Sequence, residues 1–389
     1  MKNLSIITEN YPASGIRKMF ELAKNYQNVI SLTVGEPSFD TPLNIKEIAK
    51  KAMDENYTHY VSNAGLPELR RVIADKYNKR IQSGYTENNV MVAFGGMEAI
   101  FLALLATVNP GDEVLIPDPG YPNYEGQITI LGAKPVRVPI FEKNNFNIKA
   151  EDIEKAITEK TKVLIINSPS NPLGSVLGKK ELAEIAAVVE KHDLFVISDE
   201  VYEEIIYGDF QHHSLAEFSK ISENVLIVNS LSKTYAMTGW RVGYVVGNEK
   251  IIEVMPQLQE GIASCVPPFV QLAAIEAIEH GAEAIQYMRS EYERKRSIVI
   301  EAIEEIDGMI YQGSAGSFYA FINITAFGKS SQEFAEDLIR NAKVIVVPGS
   351  AFGPMGEGYI RVVFAASDDI LMEAFDRIKT YVNSLKESV

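Results

Sequence analysis

Short runs that are apolar throughout recur at residues 90–93, 114–116, 163–166, 195–198, 225–228 and 242–246. Unbroken apolar character, in place of apolar and polar alternation, predicts strands buried on both faces, as in a parallel sheet covered by helices. Amphipathic stretches between them, such as 97–108 and 179–191, predict the covering helices. The pattern changes in the last third, where 282–306 reads as a long charged helix, GSFYAFINI as a half-buried strand and 368–385 as a closing helix. The expected fold is α/β: a large domain with a mostly parallel central sheet covered by helices, plus a smaller α+β domain.

Length supports two cores. A chain of 389 residues with 46% hydrophobic content exceeds what one core absorbs, since single cores stop growing near about 250–300 residues. The net charge of −15 argues against a nucleic-acid partner, which needs clustered cations. Cys265 is the single cysteine, so no internal disulfide forms, and a reducing cytoplasmic setting is expected. No window has the length of a membrane span and the first residues lack a signal-peptide layout, so no membrane partner is expected. His212 and His213 have no companion His or Cys at ligand spacing; they read as surface residues, and no metal is expected.

Ligands of open parallel sheets bind outside the carboxyl ends of the strands, so the residues after each run carry the chemistry. These are FGGMEAI, PDPGYPNY, NSPSNPLG, DEVY and NSLSKTYAMTGWR. Gly95 and Gly96 open a helix whose free N–H groups suit a phosphate, to which Ser230, Ser232 and Arg241 can add donors. Asp199, leaving a buried strand, needs a cation such as a protonated pyridine nitrogen. Lys233 can form an imine with an aldehyde, Tyr121 can stack on a flat ring, and Asn171 and Tyr202 can hydrogen-bond a phenolic oxygen. Aldehyde, phosphate, phenol and pyridine nitrogen together describe pyridoxal 5'-phosphate. Competing readings exist for single residues: Asp199 as a helix N-cap, Asn171-Pro172 as a plain turn, and Ser230 to Lys233 as the S-x-x-K of serine acyl-transfer enzymes. The last lacks its K-T-G and S-D-N companions.

The chain resembles the class I and II aminotransferases of the fold-type-I pyridoxal-phosphate superfamily. The resemblance spans nearly the whole length, with SGI, GEPSFDTP, YVSNAGLPELR, FGG, PDPGYPNY, NSPSNPLG, SDEVY, SLSKTYAMTGWRVGY and GYIRVVFA in the family's order. It implies Lys233 as the Schiff-base lysine and proton shuttle, Asp199 as the pyridinium partner and Tyr121 as the stacking residue. Asn171 and Tyr202 then hold the phenolic oxygen. Gly95, Gly96, Met97, Ser230, Ser232 and Arg241 hold the phosphate, with Tyr60 reaching in from a second subunit. Arg361 clamps the substrate carboxylate beside Gly35 and Asn171. Met97 stands where many relatives carry a hydroxyl, and Leu173 where they often carry threonine.

The same resemblance implies a homodimer with active sites at its interface. It divides the chain into a large cofactor-binding domain, 46–284, and a small domain made of the arm 1–45 and residues 285–389. The implied reaction moves an amino group from an L-amino acid to a 2-oxo acid, with 2-oxoglutarate as the expected acceptor. A carbon-sulfur β-lyase on the same fold is the alternative. Selectivity for the substrate side chain is expected from segments near Arg17, 261–268 and 318–321.

Overall fold

The computed structural model describes residues 4–12 and 15–387. After a two-residue strand, β1 (Ile30–Ser31), come seven strands of one sheet. They are β2 (Val90–Ala93), β3 (Glu113–Asp118), β4 (Lys134–Pro139), β5 (Thr161–Asn167), β6 (Phe195–Asp199), β7 (Val225–Ser230) and β8 (Gly243–Val246). Their spatial order is β2-β8-β7-β6-β5-β3-β4. All six apolar runs fall in these strands, and both faces are buried as the pattern requires. Val163 and Ile165 pack into one apolar cluster while Leu164 and Ile166 pack into another on the opposite side. Full burial of each such side chain contributes about 1.5–3 kcal/mol.

Two features of the sheet escape the pattern. β8 runs antiparallel to both β2 and β7, although its residues are as apolar as those of its parallel neighbours. An apolar run reports burial, and burial is blind to direction. β4 reads KPVRVP and gives no continuous run, because it is an edge strand paired only with β3. Charge and proline are tolerated at an edge, where one row of backbone groups needs no partner.

The last third folds around a second sheet. β9 (Tyr319–Asn323), β11 (Val347–Pro348) and β12 (Tyr359–Val363) form an antiparallel set in the order β11-β12-β9, while β10 (Val344–Ile345) pairs in parallel with β1. The long helix Ala282–Glu304 and the closing helix Asp368–Glu387 cover this layer. Met19 and Leu32 from the N-terminal arm share its core with Phe318, Ile360 and Phe375. β12 was hidden by Arg361, a charge in the middle of an otherwise apolar strand. No helix among the described residues is long and apolar enough to cross a membrane.

β2, β3, β5, β6 and β7 run in one direction, so their carboxyl ends meet at one edge of the sheet. β12 of the smaller sheet brings Arg361 to the same place.

Candidate active site

A cavity of about 390 Å³ at that edge is lined by Lys233, Asp199, Tyr202, Tyr121, Asn171, Ser230, Ser232, Arg241 and Arg361. Lys233 sits in the short helix Leu231–Thr234, whose N-cap Ser230 accepts a hydrogen bond from the Ser232 N–H at 3.1 Å. Its ammonium donates to the Gly35 carbonyl at 2.6 Å. Burial depresses its pKa to about 8; Glu36 opposes this, and Arg241 and Arg361 reinforce it. Ser230 Oγ donates to Ser232 Oγ at 2.7 Å, and among the described residues no hydrogen bond joins it to Lys233, as the serine acyl-transfer arrangement would require.

Asp199 ends β6 and is 5% exposed. Its Oδ2 accepts from the Tyr124 hydroxyl at 2.5 Å and its Oδ1 from the Val201 N–H at 3.3 Å. Burial pushes its pKa up to about 6 in spite of these two donors. The residues after it form turns, not an α-helix, so the N-cap reading fails. Tyr121 lines the cavity edge-on to Tyr124, with ring centroids 5.4 Å apart.

The helix after β2 begins at Gly95, two residues earlier than the periodicity predicts. Gly95 has φ +82°, and a Cβ there would lie 2.4 Å from a guanidinium nitrogen of Arg241. That pocket beside Arg241 is open because position 95 has no side chain. Arg241 is itself held by hydrogen bonds to the carbonyls of Thr238 at 2.8 Å and Phe94 at 3.2 Å. Helix N–H groups, two hydroxyls and a guanidinium therefore face one small space.

Arg361 is 3% exposed and donates to Asn171 Oδ1 at 2.9 Å and to the Thr33 carbonyl at 2.6 Å. Its guanidinium lies 4.5 Å from the Tyr319 ring and 4.8 Å from the Phe352 ring. Among the described residues its Nε is buried without a partner, and its charge is acted on by burial and by tyrosines, with no carboxylate among them. A buried cation in this state is costly until an anion joins it. The Tyr202 and Tyr319 hydroxyls meet at 2.6 Å, and a Cβ on Gly35 would lie 2.2 Å from the Tyr319 oxygen.

The family described as aminotransferase class I and II matches residues 27–378. The chain belongs to the class I and II aminotransferases. It is 46% identical to an aspartate aminotransferase of Pyrococcus abyssi, covering 96% of each chain. It is 42% identical to aromatic-amino-acid aminotransferase 2 of Thermococcus litoralis, again with 96% of each covered. The crystal structure of an aromatic aminotransferase from Pyrococcus horikoshii superposes with a TM-score of 0.90 at 43% identity, covering 95% of this chain and 99% of that one. The protein is thus a pyridoxal-phosphate-dependent aminotransferase, moving an amino group from an amino acid to a 2-oxo acid. The β-lyase alternative is not favoured.

Most of the residues expected from the sequence of this aminotransferase line the one cavity; Gly35, Gly96 and Met97 do so as well, and Gly95 abuts Arg241 behind it. Tyr60 does not: it is 89% exposed and outside the cavity of its own chain. Of the segments expected to read the substrate side chain, 318–321 supplies Tyr319 alone, and 261–268 contributes no lining residue. The Arg17 side chain lies outside the described residues.

His212 corrects the reading of a surface histidine. Its side chain is 5% exposed, and Nε2 lies 2.9 Å from Glu200 Oε2, within a group completed by Glu203. Sequence spacing missed this because the companions are carboxylates. Glu203 is already paired with Lys76 and Arg80, and Glu200 also accepts from Ser198 and Ser214. Sequence reasoning also passed over Tyr124, and it took Tyr319 only as part of a segment reading the substrate side chain. Tyr124 is three residues beyond Tyr121, and a turn in which its N–H donates to the Tyr121 carbonyl at 3.2 Å keeps the two close.

Proposed function

We propose that this cavity holds pyridoxal 5'-phosphate and carries out amino transfer from an L-amino acid, with 2-oxoglutarate as the acceptor. The observation that carries the reading is a buried Arg361 without a carboxylate partner among the described residues, in the same cavity as the Lys233 amine. An α-amino acid presents a carboxylate and an amino group together, which matches that pair.

The residues present fit the cofactor. The space that a Cβ on Gly95 would fill suits the phosphate, held by the Gly95, Gly96 and Met97 N–H groups, Ser230, Ser232 and Arg241. Asp199, buried and short of a counter-charge, suits a cationic ring nitrogen. Tyr121 offers its ring face, and Tyr202 with the Asn171 amide nitrogen offers donors to the phenolic oxygen. When bound, the group supplies an aldehyde that takes up amino groups and a ring that accepts an electron pair.

Lys233 is the attachment point and, once released, the general base that takes the substrate α-proton at Nζ; a pKa near 8 suits that exchange. Arg361 fixes the α-carboxylate through its fork, steadied by Asn171, the Thr33 carbonyl and the two flanking rings. Gly35 lies beside both groups, since its carbonyl receives Lys233.

We further propose a cytoplasmic homodimer serving amino-acid biosynthesis, in which Tyr60 completes the phosphate site of a second copy. Its supports are the exposure of Tyr60 and of its apolar neighbours Met53 and Tyr57, and a buried free thiol at Cys265. The large domain is assigned to 46–284 and the small domain to 1–45 with 285–389.

Lys233→Ala tests the central assignment. It is expected to lose the visible absorption of bound cofactor and all amino transfer in a donor screen against 2-oxoglutarate and pyruvate. Full turnover by that variant overturns it.

A further inference from the structure

We propose that Tyr319 is a positioning residue for amino transfer: its hydroxyl donates to the Tyr202 oxygen and so aims the Tyr202 proton into the cavity. The inference rests on the preceding reading, in which Tyr202 serves the phenolic oxygen of the cofactor.

The geometry is tight. The two hydroxyl oxygens are 2.6 Å apart, and Tyr319 is 1% exposed and Tyr202 5%. The Tyr202 ring packs edge-on against Phe318 at 5.5 Å and Tyr319 at 5.6 Å, two rings that themselves pack 5.0 Å apart. A Cβ on Gly35 would collide with the Tyr319 oxygen at 2.2 Å, so the backbone there is shaped around that hydroxyl. The same Gly35 receives Lys233, and the Tyr319 ring carries the Arg361 guanidinium at 4.5 Å. Tyr319 thus touches the carboxylate clamp, the lysine's resting acceptor and the phenol at once.

The direction of the bond follows from counting protons. A phenol has one proton, so within the pair one hydroxyl donates and the other keeps its proton for a third group. Burial raises the pKa of both, and Arg361 opposes the rise of both. Tyr202 keeps its proton for the phenolic oxygen in the reading above, so within the pair Tyr319 is the donor. Tyr202 then accepts from behind and presents its own proton, more strongly polarised, to the cavity that it lines. A phenylalanine at 319 would keep the ring over Arg361 and lose this effect alone.

The test is a spectral titration of the holoenzyme. The visible band of the lysine-bound cofactor is followed from about pH 5 to about pH 10 in wild type, Tyr202→Phe, Tyr319→Phe and the double variant. A donor to the phenolic oxygen stabilises the form that has lost its proton, so Tyr202→Phe raises the spectral pKa. Tyr319→Phe is expected to raise it by about half to one pH unit, and the double variant to match Tyr202→Phe. A wild-type value in Tyr319→Phe, a shift to lower pH, or shifts that add in the double variant each overturn the proposal. If Tyr202→Phe itself leaves the titration unmoved, the placement of Tyr202 fails and the role of Tyr319 falls with it.

Discussion

Tyr124 donates its hydroxyl proton to Asp199 Oδ2 at 2.5 Å, the one side-chain hydrogen bond this buried carboxylate receives among the described residues. The bond is not enough to offset burial, and the carboxyl titrates near 6 instead of its ordinary 3.8. The fold therefore holds a carboxylate whose ionisation is costly, a cost that a cationic ring beside it would offset.

This gives a pH dependence of the cofactor-free protein. The folded pKa is raised, so the folded state binds more protons than the unfolded state between about 4 and 6, and stability falls as pH rises through that window. Asp199→Asn removes the penalty. In urea unfolding, the variant should gain on wild type by about 1–3 kcal/mol at about pH 7.5 relative to about pH 4. An equal difference at both values would show that burial does not penalise the carboxylate. Cofactor affinity should fall in the same variant.

Arg361→Lys keeps a positive charge and loses the planar fork that binds Asn171 and Thr33. The KM for both amino donor and 2-oxo acid should rise about 10- to 100-fold, the equivalent of one charge-assisted hydrogen bond or a little more. Cofactor affinity, measured by absorbance titration, should stay within about twofold, because the change touches carboxylate recognition only. Weakened cofactor binding with an unmoved KM would reverse the assignment of Arg361.

Glu203 lies on the turn that carries Asp199 and Tyr202, with its side chain 1% exposed and paired with Lys76 and Arg80. Burial alone would raise its pKa, and the two cations hold it below the usual carboxylate value. Glu203→Gln leaves both cations without their buried partner and should cost about 3–5 kcal/mol in urea unfolding. A loss under about 1 kcal/mol would mean that the pair is solvated in practice.

Much of the site was legible because its groups follow apolar strands that announce themselves. Lys233, Asp199, Asn171 and Tyr121 each fall just after such a run, and the residue types together describe one ligand. Tyr319 was legible only within the segment 318–321 expected to read the substrate side chain, and its pairing with Tyr202 was not. It sits within a strand, in a pattern that reads as ordinary half-buried packing, and its partner Tyr202 is 117 residues away. His212 was misread for a related reason: its partner Glu200 is 12 residues off along an irregular loop, where no periodicity predicts contact.

From its own residues the sequence determined the α/β class, the six core strands and the chemical inventory at their ends. These are local quantities, written in runs and spacings, because burial on both faces of a sheet demands continuous apolar residues. Tertiary structure alone decided the antiparallel course of β8 and the pairing of Tyr124 with Asp199 across 75 residues. It also decided which hydroxyl backs Tyr202. Hydrogen-bond partners are chosen by distance in space, and a linear pattern carries no record of that distance.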